Sequence, residues 1–272
     1  MELYLTNLLV VVALMVVVWL ASLALRDASI VDPVWGLAFV VIAWSTLIQL
    51  GGVGGGAAGA ADGDPAGTGL GPRAVLIVAL VTVWGLRLAI YLGWRKAGMG
   101  EDYRYVRMRE RFGPGFPWIS LVVVFLLQAG LAWIVSLPIQ AGQAAMAPLG
   151  LLDVVGVGLW ALGLAFETVG DIQLTRFKRD PANAGRVLDR GLWRYTRHPN
   201  YFGDFCVWWG LFLIAASAGA WWTVVGSLLM SVLLLRVSGV ALLERTIVER
   251  RPGYAAYVRR TSAFFPRPPR DT

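Results

Sequence analysis

Long apolar runs separated by short polar segments organise this chain. Runs of about the 17 to 25 residues needed to cross a bilayer fall at about 3–25, 33–50, 74–94, 117–140, 147–170, 201–217 and 220–240. They predict an all-α, polytopic membrane protein with seven transmembrane helices. The polar segments between them are too short for soluble domains, so 1–272 is expected to form one membrane domain. Spans 1–4 lie in 1–140, and spans 5–7 with the tail lie in 147–272. The first run opens with Glu2 and stays apolar to Arg26, unlike the basic n-region and short apolar core of a signal peptide. It is expected to be an uncleaved span.

Composition agrees, with 57% hydrophobic residues and 15% charged ones, where soluble domains carry about 25% charge. The net charge of +7 raises nucleic acid as a partner, but its distribution points to a membrane instead. Segments 95–116, 175–198 and 241–272 hold 20 of the 24 Lys and Arg residues. With seven spans these segments share one side, so the positive-inside rule predicts an outer N-terminus and a cytoplasmic C-terminus. Such charges also meet anionic lipid. The Gly-rich stretch after the second run lacks the strand and helix-opening spacing of a phosphate loop and reads as a flexible outer connection. Cys206 stands alone, which excludes an intrachain disulfide.

Candidate chemistry gathers in the C-terminal half. At 100° per residue, Glu167, Asp171, Leu174 and Lys178 form one stripe of the fifth span. Acids in a membrane helix cost about 2.5 to 3.5 kcal/mol on insertion scales, so they usually face a bundle interior or a watery cavity. The alternative is an interfacial position, with Glu167 snorkelling or paired. In RYTRHPNYFGDF, Pro199 suits the first turn of the sixth span and turns His198 away from α conformation. Free amide donors beside Arg194 and Arg197 then make a candidate anion site. Asn200 and Asp204 share a face one turn apart and suit a ribose, an amide or an adenine; helix capping is the competing reading. In the tail, Tyr254 and Tyr257 could stack on a base while Arg259 and Arg260 neutralise phosphate. A lipid-lying amphipathic helix is the other possibility. One histidine and one cysteine give no metal-ligand spacing, and no G-x-S-x-G nucleophile motif occurs.

GLWRYTRHPNYFGDFCVWWG resembles the C-terminal half of the steroid 5α-reductase family and the bacterial membrane proteins grouped with it. RHPNYFGD is also similar to the corresponding run of sterol C14-reductases. SGVALLE, RRPGY and YVRRTSAFFP in the tail, GEDYRYVRMRERFG, and the run from Gln128 to Pro138 extend the bacterial likeness over about 26–266. The resemblance implies NADPH-dependent reduction of a carbon–carbon double bond conjugated to a carbonyl in a lipophilic substrate. By motif, cofactor-binding positions fall on Glu167, Asp171, Lys178, Tyr195, Asn200 and Asp204, joined by Arg194, Arg197, His198 and Tyr257; Arg236 and Glu244 match more loosely. Steroid reductases use a glutamate in the second span and a tyrosine in the third. Here the second span offers Asp32 in SIVDPVWG, which also reads as a helix cap before Pro33. Register on Arg87 puts Trp84 where the tyrosine should be, leaving Tyr91 as the substitute.

Membrane methyltransferases that use S-adenosylmethionine share R-H-P-x-Y, a later glutamate and a Tyr-rich tail, and stand as the second reading. A transporter or non-catalytic membrane protein is the third, with polar groups at one end rather than at midplane, where transporter sites lie. The expectation is therefore a multi-pass reductase of the bacterial plasma membrane. Asp32 and Tyr91 are its expected catalytic residues, NADPH its cofactor, and a lipophilic small molecule and membrane lipids its partners. Arginine outnumbers lysine heavily, and abundant Ala and Gly hint at a GC-rich bacterial genome.

Overall fold

The computed structural model describes residues 1–54, 70–237 and 253–270, and among them every regular element is helical. The principal helices are α1 (Glu2–Leu25), α2 (Val31–Gly54), α3 (Pro72–Lys96), α4 (Tyr103–Phe112), α5 (Phe116–Ser120), α6 (Leu127–Val135), α7 (Leu137–Gln143), α8 (Leu151–Arg179), α9 (Pro199–Ser217), α10 (Val224–Val232) and α11 (Tyr254–Arg260). The Gly-rich connection between α2 and α3 and the segment that holds Glu244 lie outside the described residues.

Five helical stretches are long and apolar enough to cross a membrane: Glu2–Leu25, Ala28–Gly51, Pro72–Lys96, Tyr103–Val135 and Leu151–Arg179. This is the helical architecture of a multi-pass membrane protein. The sixth expected span falls on the 19-residue α9, which is not among these five and whose first turns spend positions on Asn200, Tyr201 and Asp204. For the seventh, the described residues hold a shorter apolar helix, Trp221–Arg236.

Two boundaries differ from the apolar pattern. The fourth expected span, 117–140, is continuous with α4 and passes through a π-helical stretch at Leu121–Leu126. It then breaks at Ser136. Pro138, in the first turn of α7, has no N–H to give and its ring crowds the carbonyl four residues before it, so a new helix starts there. The fifth expected span, 147–170, slides to Leu151–Arg179, with Gly150 as its extended N-cap. The Asp153 carboxylate accepts from the Gly150 N–H at 2.8 Å and from the Ser217 hydroxyl at 2.6 Å. At 1.5 Å per residue, 29 residues span about 43 Å. That exceeds the roughly 30 Å of hydrocarbon, so one end of α8 carries its polar residues beyond the apolar layer.

The chain divides into two compact units, Met1–Leu149 with Ala218–Thr223, and Gly150–Ser217 with Val224–Thr272. In the first, α1 presents Asn7, Val11, Met15, Val18 and Ser22 as one buried stripe. Asn7 anchors it, donating to Thr46 Oγ1 at 2.8 Å and to Gln140 Oε1 at 3.1 Å, while Gln49 donates to its carbonyl at 3.0 Å. Each amide thus meets a partner that lipid could not supply.

In the second unit α8 and α9 cross on glycines. A Cβ at Gly163 would stand 2.5 Å from the Gly203 carbonyl oxygen, and one at Gly156 would stand 2.7 Å from that of Gly210. Small residues at these four positions let the backbones approach, the usual solution where lipid offers no hydrophobic drive to associate. Gly163→Val is therefore expected to destabilise the protein by about 1 to 3 kcal/mol through overpacking. Thermal unfolding in detergent measures it, with Gly158→Ala, which meets open space, as the control expected to change little.

Candidate active site

The α8 face turned to α9 carries Gly156, Trp160, Gly163, Glu167, Gly170 and Asp171, all buried. The helical stripe of acids and the glycine seam are thus the same face. Glu167 is 3% exposed and Asp171 5%. A Cβ on Gly203 would stand 2.8 Å from Glu167 Cγ, so the glutamate side chain rests directly on the α9 backbone. One turn further along, Asn200 donates its amide to Asp171 Oδ1 at 3.4 Å. Asp204 is half-buried in the following turn of α9, and Lys178 is exposed at the end of α8.

Pro199 opens α9, as the sequence led us to expect. His198 is buried and lies parallel to Tyr201, with ring centroids 5.5 Å apart. Its carbonyl accepts from the Phe202 N–H at 3.0 Å, which makes it the turn that starts the helix. Arg194 and Tyr195 are exposed. Arg197 is buried, and its guanidinium donates to the carbonyls of Val258 at 3.0 Å and Thr261 at 2.7 Å. It thus braces the tail, a use that spacing alone did not show. Tyr257 is also drawn inward. Its hydroxyl donates to the Trp193 carbonyl, and burial together with Tyr254 beside it raises its pKa well above the ordinary phenol value. Arg236 is exposed at the end of the π-helical stretch Leu233–Val237.

In the first unit Asp32 is the second residue of α2, not its cap. The capping role belongs to Asp27, whose carboxylate accepts from the Ser29 N–H at 2.9 Å. Asp32 instead receives the Tyr105 hydroxyl at 2.7 Å and the Arg104 guanidinium at 2.6 Å. Tyr91, the other residue expected to act on substrate, lies on α3. The ring of Tyr91 lies by the guanidinium groups of Arg87 and Arg95, 5.7 and 5.6 Å from its centroid. Tyr105 was legible only as part of GEDYRYVRMRERFG, because the contact joins residues 73 apart in the chain.

That motif docks on the α1–α2 turn through several charge-assisted bonds. Glu101 accepts the Ala28 N–H at 2.7 Å and holds Arg109 with both oxygens, at 3.0 and 2.9 Å. The Asp102 N–H donates to Ser29 Oγ at 3.0 Å, and Lys96 pairs with Asp27 at 2.7 Å. Among the described residues no cluster of His, Cys, Asp or Glu could hold a metal ion.

A family model described as "Protein of unknown function (DUF1295)" matches residues 18–261. The chain belongs to this family. Among curated proteins, an uncharacterised protein of Schizosaccharomyces pombe is 25% identical over 228 residues, covering 72% of this chain. The chain spans 64% of that relative's length. No solved structure matches it.

The docked turn makes stability depend on pH. Burial alone would raise the Asp27 carboxyl, but the Lys96 ammonium and the Ser29 hydroxyl and N–H outweigh it and hold it below its ordinary value. Asp102 is lowered against burial in the same way by Arg104. A lowered native value favours the ionised folded state. Its contribution is complete above the unfolded carboxylate value of about 3.9 and is lost as pH falls through the native one. Thermal unfolding midpoints should therefore drop as pH is lowered from 6 to 3. Asp27→Asn is expected to unfold earlier at pH 6, with its gap to the wild type narrowing as pH falls below about 3.9.

Proposed function

We propose that this protein is a membrane-embedded, NADPH-dependent reductase acting on a carbon–carbon double bond conjugated to a carbonyl in a lipophilic substrate. The observation that carries the reading is the Asp171–Asn200 contact. It places an amide and buried carboxylates side by side at the polar end of the α8–α9 pair. The sequence likeness to steroid 5α-reductases gives this cluster its proposed use.

The donor set fits a dinucleotide. Carboxylates at Glu167, Asp171 and Asp204 accept from ribose hydroxyls and a carboxamide, and Asn200 both gives and accepts. Lys178 and Arg194, both exposed, supply cations for phosphate. Arg197 and Tyr257 act at one remove, because their polar atoms hold the tail against the segment before α9. Bound NADPH would supply a hydride to the substrate's β-carbon. In the first unit, the Tyr105 hydroxyl would turn its single proton from Asp32 to the substrate's carbonyl oxygen as negative charge develops there. Arg104 donates to the same carboxylate and holds Asp32 in place. In this reading the basic segments face the cytoplasm, with the cofactor entering from that side.

The methyltransferase reading makes the opposite ligand prediction. S-adenosylmethionine has no phosphate and carries a positive sulfonium, so Lys178 and Arg194 gain nothing from it. Purified protein is expected to unfold at a higher temperature with NADPH, and less so with NADH, whose ribose lacks the extra phosphate. A ligand at about 100 times its Kd adds roughly 2.7 kcal/mol to the folded state. Asp171→Asn and Asn200→Ala should shrink the shift. Stabilisation by S-adenosylmethionine with none from NADPH would falsify the reductase reading. Tyr105→Phe should keep NADPH affinity within about threefold, yet lower turnover on a responsive enone by roughly 10² to 10⁴. Undiminished turnover would return Tyr105 to a packing role.

A further inference from the structure

The second unit includes a cleft that the dinucleotide reading leaves largely unused. It has a volume of about 560 Å³ and is lined by Asp189, Arg190, Gly191, Arg194, Arg260, Thr261, Pro269 and Arg270. Four guanidinium groups thus meet one carboxylate. Asp189 pairs with Arg260, and among the described residues no carboxylate pairs with Arg190, Arg194 or Arg270. Glu167, Asp171, Asn200 and Asp204 do not line it.

The arginines come from two distant segments that the backbone locks together. Thr196 and Ser262 form a parallel bridge, and the Arg197 N–H donates to the Ser262 carbonyl at 2.9 Å. The Arg267 N–H donates to the Tyr195 carbonyl and the Arg270 N–H to the Arg260 carbonyl, both at 3.0 Å. From α8, the Gln173 amide oxygen accepts from the Leu192 N–H at 3.0 Å. Gly191, with φ +62, sits where a Cβ would lie 2.4 Å from the Gln173 amide nitrogen. Such bracing holds the backbones that carry the cations close despite their mutual repulsion and leaves little backbone freedom to lose on binding.

We infer that this cleft binds a phosphate-bearing anion, with the planar guanidinium groups of Arg190, Arg194, Arg260 and Arg270 as its ligands. Phosphate suits the site because guanidinium forks match its oxygens two at a time, and three positive charges without a carboxylate partner among the described residues call for a multiply charged anion. The anion comes either from a soluble phosphate compound or from a lipid headgroup. The inference stands whether or not the reductase reading holds, since only Arg194 is common to both.

The test uses the full chain in discs of phosphatidylcholine, titrated calorimetrically with inorganic pyrophosphate. One-to-one binding is expected, weakening as salt is raised. Arg190→Gln and Arg194→Gln should each lower affinity about tenfold, whereas Arg267→Gln, exposed but outside the cleft, should not. Phosphatidic acid included in the discs then separates the sources. Loss of pyrophosphate binding in its presence assigns the site to a lipid headgroup, and unchanged binding assigns it to a soluble anion. Each of the two single variants is read against its own unfolding midpoint, so a misfolded one leaves the other to decide. No binding of pyrophosphate to the wild type overturns the proposal, as does binding that these variants weaken no more than Arg267→Gln does.

Discussion

The glycine seam between α8 and α9 is the constraint on which the second unit depends. Gly156 against Gly210 and Gly163 against Gly203 bring two backbones so close that a Cβ would collide with a carbonyl oxygen. Carboxylates on that face have nowhere to go but along the partner helix. Glu167 lies over Gly203, and Asp171 meets the Asn200 amide. An acid facing lipid would cost several kcal/mol. Close helix packing removes that exposure and collects the acids at one end of the pair.

Both units close their polar ends with arginine, but the two devices differ in strength. In the second, Arg197 is 8% exposed and spends its charge on two carbonyls. Hydrogen bonds from a charged donor are worth about 1.5 to 3 kcal/mol. In the first, Arg104 and Arg109 are more than a third exposed, where each pair contributes about 1 kcal/mol or less. Their value lies in number and register. Lys96, Glu101, Asp102, Arg104 and Arg109 together hold α4 over the turn between α1 and α2, which is what carries Tyr105 to Asp32.

The tail shows how a basic segment acquires structure. Its arginines and tyrosines satisfy the composition of a lipid-lying helix, yet α11 is short and its tyrosines point inward. The Tyr257 hydroxyl and the backbone exchanges with 195–197 turn 253–270 into part of the second unit's wall. Four arginines then face one cleft instead of spreading over a surface.

The sequence by itself determined the helical class, most of the span positions, the acid stripe on α8 and the start of α9 at Pro199. Each follows from local rules: apolar run length, helical periodicity, and the fixed φ of proline. It also marked SIVDP, GEDYRYVRMRERFG and the tail as unusual segments. It did not reveal that the first two dock on each other, that Asp27 rather than Asp32 caps the turn, or that Arg197 faces carbonyls. Nor did it show that Tyr105 donates to Asp32. Those outcomes join residues up to 73 positions apart in the first unit and more than 60 in the second. Only the tertiary structure decided them, because a side chain's partner depends on which helices can approach, and sequence spacing carries no record of that distance.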